Sequence, residues 1–293
     1  MSRPLGTGAL AAQEAIAALA AQPLEPRELV CEVAARVRRI VPHDWSAWAT
    51  TDPETLLETD AVVYDPSSDC ELTEVQASLE LAGGDVNLFA DLHRAGTAAA
   101  TLSGATGGRL EASRRHRDLL APRGLGDELR LLARSGDAAW ATGALARATD
   151  APPFSPDELA FVRAVAGLLG DGLRAGLARG PLAAPDDGPG AGVVLLDGEG
   201  YVVSATPEAR AWLDRVPSPF DDGYLPPVVE LVALRARAGA PGAHARVRVR
   251  GGGWLHLRAS VLLDAAGAPA ETAVTVEPAS RAELLPVVVA VHG

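Results

Sequence analysis

Two arginines and an acid–base pair offer the most specific chemistry in this sequence. Arg115 and Arg117 come just before Glu128 and Arg130, which stand two apart on one face of a candidate strand. A guanidinium fork holds a carboxylate through two parallel hydrogen bonds, so the group reads as a clamp for a ligand carboxylate. The competing and favoured reading is a solvated strand face whose surface ion pairs contribute little. Arg246, Arg248 and Arg250 pose the same choice, again resolved toward the wet face of a sheet. Six histidines, the nearest pair being His244 and His256, form no HxxxH or HxxEH pattern, so no metal site is expected. His93 and His116 are candidates for haem ligation or pH sensing, but a lone histidine is more often a hydrogen-bonded structural residue. Cys31 and Cys70 are too few and too far apart for a redox cluster or disulfide framework. Ser103 lies in Thr-Leu-Ser-Gly-Ala and lacks the nucleophile-elbow spacing.

Absent residues exclude as much as present ones suggest. All 26 basic residues are arginine. Without lysine there is no P-loop, no kinase strand lysine and no Schiff-base nucleophile. His116-Arg117-Asp118-Leu119 imitates a kinase catalytic loop, but Arg123 stands where asparagine belongs. No catalytic constellation remains, so the chain is expected to be neither an enzyme nor the holder of a cofactor. A net charge of −12 lacks the footprint of a nucleic-acid binder. No apolar run approaches the ~20 residues that span a bilayer. The expected location is the cytoplasm, away from membranes.

The elements that position these residues follow from periodicity. Leu29, Val30, Val33, Ala34, Val37, Ile40 and Val41 make an amphipathic helix closed by Pro42, with strands expected at residues 45–50 and 61–64, the second ended by Asp65-Pro66-Ser67-Ser68. Residues 72–120 read as mostly helical, and 127–133 with 138–147 as a hairpin. Ser155-Pro156-Asp157-Glu158 announces a long helix with a capping box. Gly167, Gly170, Gly172 and Gly176 interrupt that helix, through close packing inside the domain or as a dimer seam. Residues 180–191 are a Gly/Pro linker. Beyond it come a hairpin at 193–204, a helix capped by Thr206, a helix at 227–238, and strands at 245–249, 254–260 and around Val274 and Val276. The expected class is α+β.

Gly83-Gly84-Asp85-Val86-Asn87-Leu88-Phe89, Ala105-Thr106-Gly107-Gly108, residues 119–130 and Pro152-Pro153-Phe154-Ser155 together resemble the GAF-like sensory half of actinobacterial LuxR-type transcriptional regulators. Gly192-Val193-Val194-Leu195-Leu196-Asp197 is similar to the opening of a PAS domain. The resemblance implies an N-terminal helical extension (1–24), a GAF-like domain (25–179), the linker (180–191), a PAS-like domain (192–279), and a connector (280–293) to a helix-turn-helix domain not in this chain. It departs from the family at His116, where tyrosine is common, and at Ala141, where glycine usually follows the tryptophan.

The implied function is ligand sensing and dimerisation. A small-molecule effector in the GAF-like pocket would control DNA binding by the absent domain, in a homodimer. Trp45, Trp48, Phe89, His93, His116, Glu128, Arg130 and Trp140 are the candidate pocket residues, with core packing as the alternative for each tryptophan. A GAF–PAS dimerisation or partner-docking module without ligand is the second reading, and a GAF-fold redox enzyme the third.

Overall fold

A computed structural model describes residues 6–64, 70–219 and 225–292. The turn expected at Asp65–Ser68 lies outside the described residues. The chain divides into two compact units, one of residues 1–50 and 62–179, the other of residues 51–61 and 180–293.

The first unit contains α1 (Thr7–Ala20), α2 (Pro26–Ile40), β1 (Trp45–Thr51) up to residue 50, β2 (Glu58–Tyr64) from residue 62, α3 (Cys70–Ala82), α4 (Phe89–Arg94), β3 (Ala99–Thr101), α5 (Leu102–Thr106), β4 (Leu125–Ser135), β5 (Ala138–Ala148) and α6 (Pro156–Arg179). A π-helical turn covers His116–Leu120. The antiparallel sheet has the order β2-β1-β5-β4-β3. β3 falls inside the stretch read as helical. Three residues show no alternation, and what makes them a strand is pairing with Leu129, Arg130 and Leu131 of β4.

The predicted capping box is formed: the Ser155 N–H donates to Glu158 Oε2 at 2.8 Å and the Glu158 N–H to Ser155 Oγ at 3.3 Å. Arg147 braces the same corner, donating to the carbonyls of Pro42, Pro152 and Pro153 and to Glu158. Two of the four α6 glycines, Gly170 and Gly172, serve close packing within the unit, whereas Gly167 faces open space and Gly176 makes an ordinary contact with the Leu24 carbonyl. A Cβ on Gly172 would lie 2.8 Å from both Ala20 and Leu29 side chains, and one on Gly170 would lie 2.2 Å from the Arg134 carbonyl oxygen. These contacts occupy the face that a dimer seam through Gly172 would need. The N-terminal extension accordingly belongs to the first core, with Ile16 of α1 fully buried.

The second unit contains β6 (Gly192–Leu196), β7 (Val202–Ala205), α7 (Pro207–Leu213), α8 (Pro227–Arg237), β8 (His244–Arg248), β9 (Trp254–Leu263), β10 (Pro269–Pro278) and α9 (Arg281–His292). Its sheet runs β7-β6-β10-β9-β8, so counted within each unit the strand order is the same. Thr206 caps α7 as expected, accepting from the Ala209 N–H. The linker segment is tied down: the Trp254 N–H donates to the Ala183 carbonyl, and the Trp212 indole to that of Gly190. Among the described residues no helix is long and apolar enough to cross a membrane.

Candidate functional site

The face of the first sheet that carries Glu128 and Arg130 is not wet. Both lie on β4, opposite Ala146 and Ala144 of β5, and their exposures are 3% and 0%. A bulge explains how neighbouring acids serve different partners. The pairing shifts between Leu125↔Ala148 and Glu128↔Ala146, which places one extra residue in β4. Asp127 accepts from the Ser103 N–H and hydroxyl and from the Phe154 N–H, so it anchors both segments.

Glu128 belongs to a second, buried cluster. Arg115 Nε donates to Glu128 Oε2 at 2.8 Å, and its guanidinium also donates to the Val86 carbonyl at 3.2 and 3.3 Å. Arg130 Nη1 donates to Glu80 Oε1 at 2.5 Å and to the Asn87 carbonyl at 2.9 Å. The Arg130 guanidinium also stacks 3.8 Å above the Phe89 ring. Asp85 completes the group, accepting from the Arg115 and Val86 backbone N–H groups and the Ser113 hydroxyl. Burial opposes charge on Asp85, but these hydrogen bonds and the Arg115 cation hold its carboxyl below the ordinary range.

The local sequence explains the loop these groups hold. Gly83 and Gly84 end α3 with φ of +67° and +74°, and Asn87 adopts +56°, a region asparagine tolerates better than branched residues. This turns the Val86 and Asn87 carbonyls toward the sheet, where the two arginines collect them. Two cations therefore face three carboxylates, and Glu80, with 21% of its side chain exposed, is the most accessible acid among them. The arginine fork exists as read from the sequence, but the chain's own acids occupy it. An incoming carboxylate has to displace one of them.

The other candidates separate by position. Trp45 shares the Glu128 face, since both oppose Ala146, and it packs with Leu79, Leu102, Leu119 and Leu120. Trp48 lies on the opposite face: it pairs with Gly143, where an added Cβ would meet Leu131 at 3.0 Å and Trp48 at 3.1 Å. It shares no wall with Glu128 and Arg130. Trp140 is the extra residue of a bulge in β5, between Ala133↔Ala141 and Arg134↔Ala139.

Phe89 joins the cluster directly, its N–H donating to Glu80 Oε2. His116 sits one residue beyond Arg115; burial lowers its pKa below 6.5, with Arg117 acting in the same direction and Glu111, Asp127 and Glu128 opposing it. His93 faces elsewhere: burial and then Arg134 lower its pKa. The acids Glu80 and Asp85 were missed, because loop and helix acids far from β4 carry no local signal of pairing with it.

A corresponding correction applies in the second unit. Arg246 is 4% exposed and donates to Asp52 at 3.0 Å, and to Glu54. It is a buried, paired cation and no wet-face residue.

No protein-family model and no curated protein matches the sequence. Solved structures similar to it include the GAF domain/HD domain protein from Geobacter sulfurreducens, 17% identical, covering 51% of this chain and 93% of that one with a TM-score of 0.38. The phycoerythrobilin-bound GAF domain of a cyanobacterial phytochrome is 14% identical over 56% of this chain and 93% of its own, also with a TM-score of 0.38. Bacteriophytochrome RpBphP3 from R. palustris is 12% identical, covering 97% of this chain and 72% of that one, with a TM-score of 0.39. At identities and scores this low, the likeness assigns neither ligand nor activity to this chain.

Proposed function

We propose that the first unit is a GAF-like sensory module and that its effector is a small anionic molecule that replaces Glu80 on Arg130. The observation that supports this reading is the Arg130–Glu80 pair itself. It joins a fully buried cation to an acid that still touches solvent, and the same acid holds the Phe89 amide at the start of α4. Displacing Glu80 would therefore free the Phe89 amide at the end of the 83–89 loop as well as occupy the arginine. A ligand shifts such an equilibrium only by its preference for the released state.

In this proposal the second unit is PAS-like, and the chain works as a cytoplasmic homodimer of the LuxR regulator type. DNA recognition is carried by a helix-turn-helix segment outside these residues. Two arrangements of the sensory loop are relayed to that segment as a change in population.

The test is a thermal-shift screen of small carboxylates against the full chain. A binder at 100 times its Kd adds about 2.7 kcal/mol of stability. Arg130→Met should abolish the response, whereas Glu80→Gln, which removes the internal competitor, should strengthen it. A specific observation favours one second reading, a docking module without ligand: the cluster's cations already have carboxylate partners, and the Trp45 cluster beside it is packed with leucine and alanine. Absence of any response in wild type and in Glu80→Gln would select that reading.

A further inference from the structure

Three donors converge in the second unit without an assigned role. His256 lies on β9 directly opposite Glu277 of β10, and Glu283 enters from the first turn of α9. One ligand atom from each side chain lies within 4.8 Å of the others. We infer that His256, Glu277 and Glu283 form a divalent-cation site of the zinc type.

The geometry of each donor supports this. His256 is 2% exposed, and its Nδ1 lies 2.8 Å from Glu283 Oε1 without the alignment of a hydrogen bond. Glu283 is held in place by a second capping box: Oε2 accepts from the Ser280 N–H at 2.7 Å, while the Glu283 N–H donates to Ser280 Oγ. One carboxylate oxygen is thus spent on the helix cap and the other is aimed at the imidazole. Such outer hydrogen bonds are what orient a metal ligand. Donors around a tetrahedral zinc ion stand about 3.4 Å apart, so from a 4.8 Å spacing the site needs to close by about 1.4 Å at most. Water can complete the coordination, as in three-ligand zinc sites.

The shifts at His256 and Glu283 run in the direction that metal binding needs. Burial keeps His256 below 6.5, favouring the neutral imidazole that binds metal. Burial would raise Glu283, but the Ser280 backbone and hydroxyl, followed by the charge of His256, hold it below the ordinary range. The opposing positive groups are His244, whose ring packs 5.5 Å from that of His256, then Arg246, whose charge Asp52 and Glu54 offset, and the exposed Arg258. One imidazole with two carboxylates suits zinc better than magnesium, which prefers an all-oxygen shell with several waters.

The experiment is calorimetric titration of the EDTA-stripped full chain with Zn²⁺ near neutral pH, with Co²⁺ as the spectroscopic probe of coordination. The expected result is one ion per chain, with affinity at least tenfold weaker in Glu277→Gln and lost in His256→Gln. Because His256 is buried and its variant is exposed to misfolding, Glu277→Gln with an unchanged circular dichroism spectrum carries the decision. No binding by wild type, or equal affinity in Glu277→Gln, would overturn the site.

Discussion

The two units share a strand order and differ in how they keep charge inside. In the first, the buried cluster is built from arginine and carboxylates: Arg115 and Arg130 against Asp85, Glu128 and Glu80. In the second, Arg246 is paired with Asp52 and Glu54, and beside it two histidine rings meet edge to face at 5.5 Å, His256 against Glu283 and His244 against Glu54. Arginine stays charged at any accessible pH, whereas imidazole changes state near neutrality. One sheet plan thus supports a cluster of lasting charge in one unit and a titratable cluster in the other.

The largest expected effect breaks the comparison at its arginines. Arg115→Leu removes the cation beside Asp85 and leaves Glu128 only the longer 3.7 Å contact with Arg130, and removing one partner of a buried pair costs about 3–5 kcal/mol. Arg246→Leu strands a fully buried Asp52, but Glu54 keeps 45% of its side chain in solvent, so the loss should be smaller. Urea unfolding of both variants decides the matter, and equal losses would remove the distinction drawn between the clusters.

A smaller effect is expected from Gly172→Leu. Its Cβ would meet Ala20 and Leu29 at 2.8 Å, and overpacking of this kind costs about 1–3 kcal/mol. The melting temperature should fall while the sedimentation coefficient stays as in wild type. A change of oligomeric state without loss of stability would restore the dimer-seam reading.

The smallest effect is on the pH profile. Burial lowers the pKa of His256 in the folded chain below 6.5, so the unfolded chain takes up the proton first as pH falls. The stability contribution is intact above 6.5 and drains below it; Glu283, also lowered, acts in the same direction further into acid. Metal-free protein should therefore lose stability between about pH 7.5 and 5.5, with a shallower slope in His256→Gln. His43, His93 and His116, lowered by burial in the first unit, supply the slope that remains. An identical profile in His256→Gln would show that the second cluster does not titrate.

Much of this was legible locally. Capping boxes need only four consecutive residues, so Ser155–Glu158 was found from spacing alone, and the alternation in 127–133 located a strand of the first sheet. Alternation gives which residues share a face, but not what covers that face. Glu128 and Arg130 were correctly placed together and wrongly placed in water, because the loop that covers them starts more than forty residues earlier. The same omission put Arg246 on a wet face: its partners Asp52 and Glu54 are nearly two hundred residues away in sequence. Trp45 and Trp48 looked equivalent, yet a separation of three puts them on opposite faces of a strand.

The sequence by itself determined most of the elements, the Ser155 and Thr206 caps and the exclusion of lysine chemistry, since each depends on neighbours within a few residues or on composition. Tertiary structure alone decided which charges are buried and with whom. Pairing across β-sheets and long loops depends on distances in space, and a single row of residues does not record them.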